Sequence, residues 1–171
     1  SDHFMERIYP IGIQNFEKIR RDGYIYVDKT RFVYQLAKTG SYYFLSRPRR
    51  FGKSLLISTL QAYFEGKKDL FKGLAIEQLE KDWTVYPVLH LDLNARNYED
   101  ENSLLEELNK HLEIWEQQYG SPYGDRAPEE RFFHVIRLAH EKTGQRVVIL
   151  VDEYDKPMLQ AIENDELQRV Y

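Results

Sequence analysis

The sequence predicts an α/β fold built on a parallel sheet, and three observations predict it. Apolar runs alternate along the chain with stretches of helical periodicity, the order that joins parallel strands by right-handed helical crossovers. One run, Tyr42-Tyr43-Phe44-Leu45, leads through Ser46-Arg47-Pro48-Arg49-Arg50-Phe51 into Gly52-Lys53-Ser54 and a helical pattern. Another, Val147-Val148-Ile149-Leu150-Val151, ends in Asp152-Glu153. Both runs are continuously apolar rather than alternating, as in strands covered on two faces.

The elements follow in order. Asp28 is placed to cap a helix over residues 29–38, with Gly40 ending it. After the first strand, Leu56, Thr59, Leu60, Tyr63 and Phe64 recur at helical spacing, an amphipathic face of about three turns. Residues 66–82 read as a polar connection with a short helical piece over 76–81. Residues 85–93 read as a second strand, broken near its start by Pro87. Residues 99–118 form a long helix with Leu104, Leu105, Leu108, Leu112 and Trp115 on one face, its glutamates forming a solvated one. Gly and Pro mark 121–128 as a loop. A third helix spans 128–142, and residues 146–151 are the third strand.

Gly-Lys followed by Ser or Thr arises by chance in roughly one chain in ten of this length, so the tripeptide alone decides little. Its context decides more: strand, tight loop and helix in that order form a phosphate-binding loop. A helix start leaves backbone N–H groups without partners and carries partial positive charge. Gly52 lets a phosphate chain approach that backbone. Lys53 reaches the outer phosphates, and the Ser54 hydroxyl suits Mg²⁺. The phosphate-binding set is therefore Arg49, Arg50, Phe51, Gly52, Lys53, Ser54 and Leu55. For Arg49 and Arg50 only the backbone N–H groups are needed; their side chains either clamp phosphate or face solvent. The usual pattern has glycine five residues before Gly52, where this chain has Arg47. Pro48 constrains the backbone there instead.

At the second site, five apolar residues account for burial, but two adjacent carboxylates at a strand end do not help folding. Asp152 is placed to share the metal ion with Ser54, and Glu153 to act as general base on the attacking water, with Lys53 as the second catalytic residue. A strand running into an exposed acidic turn is the plainer alternative. Asp155 either caps a turn before Pro157 or lies near the phosphates. Asp92 either makes a strand-end turn or contacts the metal shell or attacking water.

The chain also resembles a known family. Ile11-Gly12-Ile13-Gln14-Asn15-Phe16, Tyr26-Val27-Asp28-Lys29-Thr30, Arg47-Pro48-Arg49-Arg50-Phe51-Gly52-Lys53-Ser54 and Val151-Asp152-Glu153-Tyr154-Asp155-Lys156-Pro157 look like successive blocks of the bacterial AAA-ATPase-like family. The resemblance implies a P-loop NTPase three-layer sandwich of the additional-strand, catalytic-glutamate class, with ATP and Mg²⁺ as cofactors. It implies that Arg47 is ordinary at its position. In many relatives a nuclease-like domain follows at the C-terminus. The strand inserted between the P-loop strand and the Asp-Glu strand would come from sequence beyond residue 171. Residues 1–171 are thus expected to be the N-terminal portion of a single ATPase domain, with a lead-in over about 5–40 and a nucleotide-binding core over 41–171. Met5 reads as the native start and Ser1 to Phe4 as a remnant. Ile11, Phe16 and Tyr26 lie where relatives of this class often hold the adenine ring, or else they pack the core.

Composition bounds the rest. A chain of 171 residues with 42% hydrophobic content supports one core of ordinary size. A net charge of −4 argues against a domain-wide nucleic-acid surface, and the dense basic patch is the P-loop itself. The absence of cysteine excludes disulfides and thiolate metal sites. The five histidines lack ligand spacing. No apolar stretch reaches membrane-spanning length, so a cytoplasmic protein without a membrane partner is expected. Three functions remain: Mg²⁺-dependent ATP hydrolysis driving a motor or switch, an ATP/ADP-binding regulatory module with little turnover, or the ATPase part of a nucleic-acid-processing protein. A homo-oligomer is compatible with each. No guanine-reading Asn-Lys-x-Asp motif occurs, which favours adenine.

Overall fold

The computed structural model describes residues 15–39, 43–44, 53–92, 101–120 and 125–152. Helices and strands alternate, with a small parallel sheet, in keeping with an α/β fold. In order they are α1 (Phe16–Arg21), α2 (Thr30–Thr39), β1 (Tyr43–Phe44), α3 (Lys53–Phe64), a 3-10 turn (Lys68–Phe71), α4 (Ile76–Leu79), β2 (Val88–Asp92), α5 (Glu101–Tyr119), α6 (Pro128–Thr143) and β3 (Val148–Asp152). The chain divides into two compact units, residues 1–85 and 86–171.

The first unit is a helical cluster around an aromatic centre. Helix α1 starts because the Asn15 carboxamide oxygen accepts the Lys18 N–H at 2.9 Å, a side-chain N-cap. Its pairs Glu17–Arg21 and Lys18–Asp22 sit at i,i+4 on exposed flanks, while Phe16 and Ile19 point inward and are fully buried. Phe16 stacks at 4.8 Å from Phe71 and edge-on to Tyr26 at 5.1 Å. Tyr63 and Trp83 extend the cluster, with ring centroids 5.7 Å apart.

Helix α3 is buried over more than one stripe: Ile57 and Ala62 are enclosed along with Thr59, Leu60, Tyr63 and Phe64. The reason is that both α1 and α2 pack on it. The segment expected to be a polar connection contributes Leu70, Phe71 and Ile76 to this core, and Trp83 follows directly after it. It opens at Gly66, whose φ of +71° is open to glycine and strained for other residues.

The second unit rests on β2 and β3, which pair in parallel from Val88↔Val148 to Asp92↔Asp152. Leu89, Leu91, Leu150 and Val151 are buried. The connection between the strands includes the long helices α5 and α6, which pack on each other; Leu108, Leu112, Trp115 and Tyr119 of one and Phe132, Val135, Ile136 and Ala139 of the other are buried, and Trp115 meets Phe132 edge-on at 5.8 Å. Pro128 opens α6, where its missing N–H costs nothing. Gly144 closes it at φ +70°, its N–H returning to the His140 carbonyl at 2.8 Å. Between the helices, Arg131 is 6% exposed and holds Glu116 through two bonds, Nε to Oε2 at 3.1 Å and Nη2 to Oε1 at 2.6 Å. Its third nitrogen donates to the Asn109 carboxamide oxygen.

Candidate functional site

Lys53 is the first residue of α3 and Ser54 the second, so a 12-residue helix follows strand β1 in the anticipated order. Leu55 completes the first turn with a half-buried side chain. Arg49, Arg50, Phe51 and Gly52 lie outside the described residues, as do Arg47 and Pro48.

The helix start is held from within the unit. The Leu55 carbonyl accepts the hydroxyls of Ser58 at 2.9 Å and Thr59 at 2.7 Å. The Ser58 oxygen in turn accepts the Phe16 N–H at 2.9 Å, tying α1 to α3. Tyr26 bonds the Thr59 side chain, and burial pushes its phenol pKa up despite that bond.

At the other motif, Asp152 is the last residue of β3 and is the register partner of Asp92, the last residue of β2. Glu153 and Asp155 lie outside the described residues. The motif groups therefore belong to different units: Lys53, Ser54 and Leu55 to the first, Asp92 and Asp152 to the second. Charge divides along the same boundary. Residues 1–85 carry 15 Lys and Arg against 10 Asp and Glu, net +5, and residues 86–171 carry 9 against 18, net −9. Arg47, Arg49, Arg50 and Lys53 supply most of the first excess. The overall charge of −4 is thus the sum of a basic unit and an acidic one.

The donor chemistry fits Mg²⁺ and a phosphate chain. A hydroxyl and a carboxylate are hard oxygen ligands of the kind Mg²⁺ takes alongside phosphate and water, and an ammonium at a helix start complements phosphate. Among the described residues, no group of three or more His, Asp or Glu side chains forms a self-contained metal site. No helix there is long and apolar enough to cross a membrane.

Of the residues weighed as an adenine platform, Ile11 lies outside the described residues. Phe16 is fully buried in the core, with Phe71 at 4.8 Å and Tyr26 edge-on at 5.1 Å, and Tyr26 itself is half-buried.

A polar hub escaped sequence reasoning in part. Asp28 Oδ1 accepts the Thr30 N–H at 2.9 Å and the Thr30 hydroxyl at 2.5 Å, starting α2 as its position suggests. Asp28 Oδ2 also accepts the Ala75 N–H at 2.7 Å, and the Thr30 hydroxyl oxygen accepts the Ile76 N–H at 3.1 Å. One aspartate and one threonine therefore hold the starts of both α2 and α4. Burial alone would raise the Asp28 pKa, but the bonds from Thr30 and Ala75 outweigh it and hold the carboxyl below its ordinary value.

Glu80 behaves alike. Burial would raise it, yet the Tyr63 hydroxyl, the Asp82 N–H and the charge of Lys38, 3.5 Å away, hold it below the usual carboxylate range. Its partners Tyr63 and Lys38 lie 17 and 42 positions earlier in the chain, too far for any local pattern to reveal them.

Residues 10–171 match the model of a family described as predicted AAA-ATPase. An uncharacterized protein in the vnfD 5′ region of Azotobacter chroococcum mcd 1 is 46% identical over 162 residues, covering 94% of this chain and 31% of that protein. The chain thus spans about a third of the length of that relative. No solved structure matches it.

Proposed function

This chain belongs to the AAA-ATPase-like family, and on that premise we propose that it binds ATP with Mg²⁺ and contributes the residues for hydrolysis of the γ-phosphate. The observation that carries the reading is the order of strand β1, the run Arg47-Pro48-Arg49-Arg50-Phe51-Gly52-Lys53-Ser54, and helix α3 opening at Lys53. The backbone N–H groups of Arg49 to Leu55 and the Lys53 ammonium bind the phosphates. The Lys53 ammonium offsets the negative charge that builds on the leaving oxygen as its bond to the γ-phosphorus loosens. Ser54 and Asp152 hold Mg²⁺, which when bound neutralises phosphate charge. Glu153 orients the attacking water and takes its proton.

Two substitutions test the reading in sequence. Lys53→Ala is expected to abolish Mg²⁺-dependent binding of a fluorescent ATP analogue while the chain stays folded. Glu153→Gln is expected to keep binding and lose turnover, by roughly 10²-fold or more. Equal binding by wild type and folded Lys53→Ala would reject the phosphate site. Binding without turnover in the intact wild-type protein would favour a nucleotide-held regulatory module. The work that hydrolysis drives, including any on nucleic acid, belongs to the whole protein; DNA-stimulated turnover by the intact protein would indicate it.

A further inference from the structure

From the hydrogen bonds behind the first turn of α3 we infer that Ser58 and Thr59 are positioning residues, whose hydroxyls set the phosphate-binding turn against the segment that precedes β1. The inference rests on the proposed nucleotide reading and deepens it. Leu55 belongs to that turn, and its carbonyl accepts the Ser58 hydroxyl at 2.9 Å and the Thr59 hydroxyl at 2.7 Å. Neither hydroxyl stops there. The Ser58 oxygen accepts the N–H of Phe16, the first residue of α1, at 2.9 Å. Thr59 also bonds Tyr26, which in turn bonds the Lys29 backbone just before α2. A hydroxyl has one proton to give. With that of Thr59 on Leu55, Tyr26 donates to the Thr59 oxygen. Two hydrogen-bonded routes, one from the start of α1 and one from the start of α2, therefore converge on a single carbonyl of the phosphate-binding helix.

Packing alone gives these hydroxyls no reason to be there. Thr59 is 1% exposed among the buried apolar residues Ile57, Leu60 and Phe64, and a buried hydroxyl costs free energy unless it is bonded. Returning that hydroxyl to a carbonyl of its own helix gains the helix little and tends to bend it. At this helix start the bend has a use. A phosphate bound there meets the N–H groups of the first turn, so the direction of that turn decides how well they fit it. Bonds to the Leu55 carbonyl fix the turn, and the ties to Phe16 and Tyr26 fix it relative to α1 and α2, which both pack on α3. Ser58 and Thr59 lie about one helical turn beyond the phosphate-binding residues and act on them through the Leu55 backbone.

The test uses the intact protein, a fluorescent ATP analogue with Mg²⁺, and substitutions that separate the Thr59 hydroxyl from its methyl group. Thr59→Val keeps the shape and removes the hydroxyl, whereas Thr59→Ser keeps the hydroxyl and removes the methyl. Thr59→Val should weaken analogue binding by about tenfold, within the range typical of coupling between a binding site and a remote element. Thr59→Ser should bind nearly as wild type. Tyr26→Phe keeps the ring on Phe16; it should weaken binding alone but add little to Thr59→Val, because both cut the same route. Ser58→Ala cuts the other route and should weaken binding further in either background. Melting curves without nucleotide establish which variants are folded at the assay temperature; if Thr59→Val is not, Tyr26→Phe and Ser58→Ala against wild type decide. Weaker binding by Thr59→Ser than by Thr59→Val overturns the inference, since the methyl packing would then matter and the hydroxyl would not. Wild-type affinity in every folded variant, whatever its melting temperature, also overturns it and leaves the nucleotide reading standing. Wild-type protein that binds no analogue overturns the inference together with the reading beneath it.

Discussion

Replacing Asp28 isolates what the hub at the start of α2 contributes. In Asp28→Ala the Thr30 N–H and the Ala75 N–H each lose their acceptor, and both helix starts are left to water. An N-terminal cap contributes about 1 kcal/mol, so two together amount to about 2 kcal/mol. Asp28→Asn keeps one acceptor oxygen and should lose about half as much. With a urea slope of about 2 kcal/mol/M, the alanine variant should unfold about 1 M earlier and the asparagine variant about 0.5 M earlier. The assay needs a probe confined to the first unit. The chain has two tryptophans, Trp83 in the first unit and Trp115 in the second. In a Trp115→Phe background, fluorescence therefore follows Trp83 against Tyr63 and Phe71.

The pH dependence adds a second check on the same residue. The Asp28 carboxyl sits below its ordinary value of 3.8 in the folded chain. Its contribution is therefore complete above the unfolded pKa and is lost as pH falls through the lower folded one. The gap between wild type and Asp28→Asn should hold at neutral pH and close in acid below that range. A loss under about 0.5 kcal/mol for Asp28→Ala, or equal losses for Ala and Asn, would refute the two-cap account.

Other perturbations test separate parts of the structure. Arg131→Ala leaves the buried Glu116 carboxylate without its partner and should cost about 3–5 kcal/mol. The double variant Arg131→Met, Glu116→Leu should return to within about 1 kcal/mol of wild type by urea denaturation, because neither charge is then buried alone. Gly66→Ala should cost about 2–3 kcal/mol, since a Cβ there meets Val85 Cγ2 at 2.8 Å and the Trp83 carbonyl at 3.1 Å at a left-handed φ. Gly144→Ala, with the same φ sign but open space around it, should cost only about 1 kcal/mol. Similar melting temperatures for the two glycine variants would show that the close approach at Gly66 carries no cost.

What was legible in the sequence is what local physics determines. Helices α2, α3, α5 and α6 and strands β2 and β3 fall within a few residues of their expected spans, because caps, periodicity and Pro87 act over one or two turns. Helix α1 was missed because six residues give too short a period, although Asn15 followed by Phe16, Ile19 and two i,i+4 charge pairs was its available signal. The rest is non-local. That residues 66–82 fill the core depends on Phe71 meeting Phe16 and Trp83, a set that no window of the sequence contains. The block Tyr26-Val27-Asp28-Lys29-Thr30 illustrates the difference. Its capping of α2 follows from position, but its hold on Ala75 spans 47 residues. The candidate site has the same character. Gly-Lys-Ser before a helix and Asp-Glu after a strand are local signals of chemistry. The pairing of Asp92 with Asp152 exists only as register, and a slip of one residue in either strand would dissolve it. A motif scan would therefore recover Asp152 and pass over its register partner Asp92.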